Sequence, residues 1–220
     1  MALIVYGLAL SSYSAKLRIL LENKGIAYEE REPPGGSYRS EAYRAIVPMG
    51  TLPAIDDDGF ILSESEVIAE YLEVRHPAPR MLPEAVRERA HARFLSRLHD
   101  LYFAPAVRGL FPHVNPAKRD PAAVAVQVGE IRRRLSQLES LAVPRPYIAG
   151  EYLMLPDCGF AVSVPLAMQL LAVFGEELEL STPLRDWHDT VQAHPAVVAG
   201  LAPWHVATDR WLASQLEAGT

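Results

Sequence analysis

Leu52-Pro53-Ala54-Ile55-Asp56-Asp57-Asp58-Gly59-Phe60-Ile61-Leu62-Ser63-Glu64-Ser65-Glu66 is the stretch that decides how the first third of this chain folds. Two short apolar runs flank Asp58-Gly59. That pair is a strong hairpin signal, because a two-residue hairpin turn asks for positive φ at both central positions. Ser63 and Glu66 have the spacing of a capping box, and Val67, Ile68, Tyr71 and Leu72 supply the apolar stripe of the helix it would open. An antiparallel strand pair running straight into a helix that ends near His76 is therefore expected.

Upstream, residues 2 to 6 form a short apolar run, and Ala15 to Lys24 carries Leu17, Leu20 and Leu21 at helical spacing before Gly25, a natural stop. Ile26 to Arg31 reads as a second strand, which makes the opening segment a βαβ unit with parallel strands and a right-handed crossover. A short helix is expected over about Ser40 to Ile46. Strand, helix, strand, hairpin and helix is the order of an α/β thioredoxin-like domain, here over residues 1–77. The proline-rich segment from Pro77 to Pro83 breaks the pattern and places a linker at 78–86. Residues 87–220 read as an all-α helical domain: Arg87 to Leu110 and Pro121 to Leu141 are long periodic stretches, with further helices near 157–174, 184–193 and 204–217.

Composition narrows the function classes. Of 220 residues half are hydrophobic, enough for a sizeable core, and 21 basic against 27 acidic residues leave a formal charge of −6. The basic block Arg132-Arg133-Arg134 reads as the wet face of a helix, so no nucleic-acid partner is expected. Cys158 is the only cysteine, which excludes an intramolecular disulfide and a CxxC pair and fits a reducing compartment. With no basic, apolar leader at the start and no long uninterrupted apolar run, neither export nor membrane insertion is expected, and the cytoplasm is the default. His91, His99 and His113 lack the spacing of paired ligands on one helical turn, so no metal is expected.

Several separate stretches resemble the soluble glutathione transferases, and the resemblance runs over essentially the whole chain. Ser11-Ser12-Tyr13-Ser14-Ala15-Lys16-Leu17-Arg18 resembles the serine-bearing loop of the zeta-like classes. Pro48-Met49-Gly50-Thr51-Leu52-Pro53 and Ser63-Glu64-Ser65 resemble the two segments that hold glutathione, and Tyr147-Ile148-Ala149-Gly150, Pro156-Asp157-Cys158, Trp187 and Pro195-Ala196-Val197 resemble late-helix signatures. The resemblance implies a detoxification enzyme with glutathione as co-substrate, a small electrophile as second substrate, and a homodimer. It implies that Ser11 donates to the thiolate, that Leu52 offers its backbone to the cysteinyl unit beside a cis peptide to Pro53, and that Glu64 and Ser65 hold the γ-glutamyl end. Thr51 would add a contact there, and Tyr38 or Arg39 would touch the glycyl end.

Local reading leaves alternatives at the serines. Taken alone, one of Ser11, Ser12 and Ser14 is an N-cap. With the downstream motifs Ser11 is favoured as thiolate donor, Ser12 being the nearest competitor. Tyr6 is a strand residue or a phenolic donor. A lone serine is chemically adequate: a thiol of pKa ~8.5 is about 3% ionised at pH 7, and lowering it by ~2 units needs about 2.7 kcal/mol. One charge-assisted hydrogen bond of roughly 1.5–3 kcal/mol beside a helix N-terminus supplies that.

Three departures from the family pattern stand out. Val47 replaces an asparagine before Pro48, and Met154 replaces a Ser or Thr cap, so the helix at Asp157 should start less stably. Tyr13 stands where several zeta-like enzymes carry cysteine, which argues against thiol-exchange dehalogenation. Tyr102, Phe103, Arg108, Phe111 and His113, with Leu8, Ala9, Leu10 and Tyr13, are candidates for lining the acceptor site. Two other readings stay open: a glutathione-dependent cis–trans isomerase resembling maleylacetoacetate isomerase, and a non-catalytic binding protein with this fold.

Overall fold

Residues 3–218 are described in a computed structural model of the chain, so Ala2, the first residue of the expected opening strand, lies outside the described residues. The chain divides into two compact units: the residues up to Arg80 together with Pro195–Ala207, and Met81–His194 together with the residues from Thr208 onward. The sequence reading assigned all of 87–220 to the helical domain. The start of the last helix packs instead with the first unit, where a Cβ added at Gly200 would come within 2.8 Å of the Ile19 backbone nitrogen.

The first unit runs β1 (Leu3–Tyr6), α1 (Ser12–Lys24), β2 (Tyr28–Arg31), α2 (Glu41–Arg44), β3 (Ala54–Asp57), β4 (Phe60–Ser63) and α3 (Ser65–Arg75). Its sheet has the order β2-β1-β3-β4, with β1 and β2 parallel and the other pairs antiparallel. Helix α1 ends where Gly25 turns left-handed at φ 62° and Ile26 donates back to the Leu21 carbonyl. The hairpin turns at Asp58 (φ 53°) and Gly59 (φ 89°), the doubly positive conformation that Asp-Gly favours.

The expected capping box at Ser63 and Glu66 does not form. Ser63 pairs with Ala54 as the last residue of β4, so the chain must pass from strand to helix within one residue. Glu64 makes that turn at φ 75° and gives no side-chain cap. The Glu66 carboxylate goes to Lys16 Nζ at 2.7 Å, a buried ion pair between the first turn of α3 and the second turn of α1.

The second unit contains α4 (Val86–Leu98), α5 (Ala104–Arg108), α6 (Pro121–Leu141), α7 (Leu155–Val173) and α8 (Thr182–Gln192), while α9 (Pro195–Glu217) starts in the first unit and ends in the second. The helix expected over 87–110 is interrupted by a π turn at His99–Phe103. Pro105 has no N–H for the carbonyl four residues back, and the ladder lengthens so that the Ala104 N–H reaches the His99 carbonyl. Helix α7 is long and apolar enough to cross a membrane by length and composition, but most of it is buried in this unit's core.

Asp157 anchors α7. Its Oδ2 accepts from the Met154 N–H at 2.8 Å, and its Oδ1 accepts from Ile148 N at 2.9 Å and Trp187 Nε1 at 2.8 Å. Met154 supplies no cap through its own side chain, yet this carboxylate returns to the Met154 N–H and satisfies the helix start from the other side. Complete burial pushes the Asp157 carboxyl up to about 6 against the pull of its three donors.

Two outcomes follow for Asp157→Asn. An amide has too few acceptors for all three donors, so urea unfolding near pH 7 should show a loss of about 1–3 kcal/mol. Because the folded pKa lies above the unfolded one, the carboxyl's own contribution is complete below about pH 4 and is lost as pH rises through about 6. The parent's margin over the variant should therefore shrink between about pH 4.5 and about pH 7.5; a flat margin would contradict it.

Candidate active site

Strand register gathers the site. Tyr6 of β1 pairs with Ala54 of β3, and Ala54 pairs with Ser63 of β4. Neighbouring strands lie about 4.8 Å apart, so the segments leaving β1, entering β3 and leaving β4 meet at one end of the sheet within about 10 Å. Those segments carry Ser11 and Ser12, then Thr51, Leu52 and Pro53, then Glu64 and Ser65, so all seven expected residues lie on segments at the same end of the sheet in the first unit.

Ser11 is the N-cap of α1. Its Oγ accepts from Ser14 N at 3.2 Å, and its own N–H donates to the Leu8 carbonyl at 3.0 Å. A hydroxyl that accepts one bond still has its hydrogen to give, so capping and donating to an anion are compatible. Ser12 opens the helix as its first residue, and both serines are half-buried. An anion placed here also meets the positive end of the α1 macrodipole.

The Leu52–Pro53 peptide is cis, as the motif implied. The loop before it is pinned by Tyr43, whose fully buried hydroxyl donates to the Thr51 carbonyl at 2.8 Å. Burial pushes the Tyr43 phenol far up, which keeps it a donor. Gly50 turns at φ 59° against the Tyr38 carbonyl, where a Cβ would sit at 2.9 Å. Thr51 Oγ1 is buried without a partner among the described residues. Glu64 is exposed at the head of α3 and Ser65 is buried as its first residue.

Tyr6 takes the strand role: it is buried edge-on to Tyr43 at 5.8 Å, in a cluster with Val47 and Ala54. Val47, in the place of the family's asparagine, is thus a core residue. Tyr38 packs against the same cluster, with the Arg39 guanidinium 5.4 Å from its ring centre.

The candidates in the helical half are partly occupied by their own unit. Phe103 is fully buried, 5.5 Å from Phe160, so it is a core residue. Phe111 packs on Trp211 at 4.9 Å, Arg134 lies over the Tyr102 ring at 4.8 Å, and His113 Nδ1 accepts from Asp120 N at 3.3 Å. His99 is buried between Asp100 Oδ1 at 2.7 Å and Ser163 Oγ at 2.8 Å. Among the described residues no group of three or more His, Cys, Asp or Glu side chains is placed to hold a metal ion.

Sequence reasoning passed over the charged residues beneath the site. Lys16 and Arg18 lie in α1 and are almost wholly buried, Lys16 on Glu66 and Arg18 on Glu30 of β2. The available signal was two cations inside the apolar run Ala15 to Leu21.

Comparison with known proteins gives a family model for the glutathione S-transferase N-terminal domain, matching residues 5–80. A maleylacetoacetate isomerase from Pseudomonas aeruginosa is 32% identical over 209 residues, 89% of this chain and 93% of that one. A maleylacetoacetate isomerase from Rattus norvegicus is 38% identical over 99 residues, 43% of this chain. In that second match the chain spans about half the length of its relative, 46%. Among solved structures, the theta class glutathione S-transferase of Xanthomonas axonopodis pv. citri, with glutathione bound, aligns at a TM-score of 0.73. That pair is 28% identical over 91% of this chain and 97% of the other.

Replacing Lys16 by Met removes the cation from a carboxylate that is itself buried, so Lys16→Met should cost about 3–5 kcal/mol in denaturant unfolding. The double change Lys16→Met with Glu66→Leu should recover most of that loss, because an apolar pair of similar volume needs no counter-charge.

Proposed function

This chain belongs to the glutathione S-transferase family, and from that premise we propose that it ionises the thiol of glutathione at Ser11 for attack on a small hydrophobic electrophile. The observation that carries the reading is that three strands end at one edge of the sheet, one of them leading to a serine hydroxyl that caps α1 and keeps its hydrogen to give. In this reading the cysteinyl thiol loses its proton to solvent, and the Ser11 O–H and the α1 terminus stabilise the sulfur anion. Leu52 pairs its backbone with the cysteinyl unit. Glu64 takes the γ-glutamyl ammonium, and Ser65 with the first N–H groups of α3 takes the α-carboxylate. Thr51 Oγ1, buried without a partner among the described residues, is suited to a further γ-glutamyl contact.

The thiolate then forms a carbon–sulfur bond. A substitution acceptor releases its leaving group with the bonding pair, and a conjugate acceptor takes up a proton instead. We assign the chain to a cytoplasmic homodimer with a detoxifying role, on the family resemblance and on a single cysteine that is buried.

A second reading is favoured by the similarity to maleylacetoacetate isomerases, one of them over nearly its whole length. There the thiolate adds to a conjugated double bond, rotation follows, and elimination returns glutathione unchanged. Tyr13, in the place of the cysteine of several zeta-like enzymes, weighs against it.

Thiolate absorbance of bound glutathione, followed against pH, tests the common core of both readings. The parent should show a thiol pKa of about 6–7, and Ser11→Ala should restore it towards ~8.5–9, whereas Ser12→Ala should leave it low. A shift in Ser12→Ala alone would move the role to Ser12, and an unshifted parent would remove the catalytic reading. Glutathione balance over many turnovers separates the two enzymes: a transferase consumes it stoichiometrically, an isomerase does not.

A further inference from the structure

Arg18 has no role in the chemistry above, yet its residue is only 2% exposed and its guanidinium lies directly behind the loop that carries Ser11. Its Nε donates to Glu30 Oε2 at 2.8 Å and its Nη2 to Glu30 Oε1 at 2.5 Å, a forked pair between α1 and β2. The same Nη2 donates to the Leu8 carbonyl at 3.0 Å. That carbonyl also accepts the Ser11 N–H at 3.0 Å, so one oxygen joins Arg18 to the backbone of the serine. The fork passes so close to the end of β1 that a Cβ at Gly7 would stand 2.4 Å from Glu30 Oε1. Any side chain at Gly7 would have to displace the carboxylate.

Packing alone is a poor explanation for this arrangement. A buried guanidinium pays heavily in lost hydration, and Nη1 is buried here without a partner among the described residues. An unbranched apolar side chain would fill the space at lower cost. What an apolar side chain cannot do is hold the Leu8 carbonyl and grip Glu30 in one plane.

We propose that Arg18 is a positioning residue, anchored by Glu30, that sets the Leu8–Ser11 loop so that the Ser11 hydroxyl meets the sulfur of bound glutathione. The proposal rests on the reading of Ser11 as thiolate donor. Lysine at this position carries the charge but lacks the fork, and it can serve the carboxylate or the carbonyl but not both in the native plane. A loop released in this way lets the hydroxyl drift, and a charge-assisted bond weakens steeply with length and angle.

The test compares the parent, Arg18→Lys and Glu30→Gln by bound-thiol titration, glutathione affinity and the pH profile of kcat/KM with a chlorinated nitrobenzene acceptor. Glu30 lies on an edge strand with its side chain 28% exposed, so Glu30→Gln keeps the test available if Arg18→Lys does not fold. Folded variants should raise the bound-thiol pKa by about 1 unit, lowering kcat/KM roughly fivefold near pH 6.5, with the gap widening towards tenfold at lower pH and closing near pH 9. Glutathione affinity should change less than about threefold, since Leu52, Glu64 and Ser65 are untouched. A purely structural role would lower activity equally at every pH and leave the titration in place, and coincident titrations of folded variants overturn the proposal. Failure of the underlying reading looks different: the parent thiol is then not depressed, or Ser11→Ala does not move it, and Arg18 loses its role with Ser11.

Discussion

The row Tyr6–Ala54–Ser63 across β1, β3 and β4 is the constraint on which the candidate site depends. Side chains along a strand alternate with a period of two, and both faces are buried here, so a slip of one residue in either pairing would exchange the packing of Val5 with that of Tyr6, or of Ala54 with that of Ile55. The buried side chains Val5, Ala54 and Ile55 hold the register. Once it is set, three loops distant in sequence have no choice but to leave the sheet side by side. No specific attraction between Ser11, Leu52 and Glu64 is needed to gather them.

Around that row the unit's buried charges are strung along α1. Lys16–Glu66 ties α1 to α3, Arg18–Glu30 ties α1 to β2, and Lys24–Glu73 at 2.6 Å ties the far end of α1 to α3. Ion pairs of this kind add little to stability over an apolar pair, but each has one satisfactory geometry, whereas an apolar contact tolerates sliding. A thiolate site needs a hydroxyl held to a fraction of an ångström, and three such pairs along one thirteen-residue helix restrict its sliding and rotation. The same logic serves the second unit, where a single buried carboxylate, Asp157, joins the 148–154 loop, α7 and α8.

The departures from the family pattern divide by consequence. Val47 exchanges a turn-forming side chain for a core contact, and Met154 gives up a cap that Asp157 replaces. Tyr13 differs in kind, because it alters the chemistry offered beside Ser11 rather than the support beneath it.

What the sequence determined by itself was everything whose cause is local. The Asp58-Gly59 turn, the Gly25 stop and the serine at the head of α1 follow from φ preferences and from the few donors exposed at a helix end, and each was legible in a handful of residues. The seven site residues were legible only through resemblance, since no local rule says that 11, 52 and 64 will meet. Where local rules and tertiary pairing competed, pairing won: Ser63 stayed in β4 instead of capping α3, and Glu66 turned to a lysine fifty residues away. The start of α9 joined the first unit. Tertiary structure alone decided these because a buried charge or an unpaired strand edge must find its partner wherever the chain brings one, and sequence distance carries no information about that.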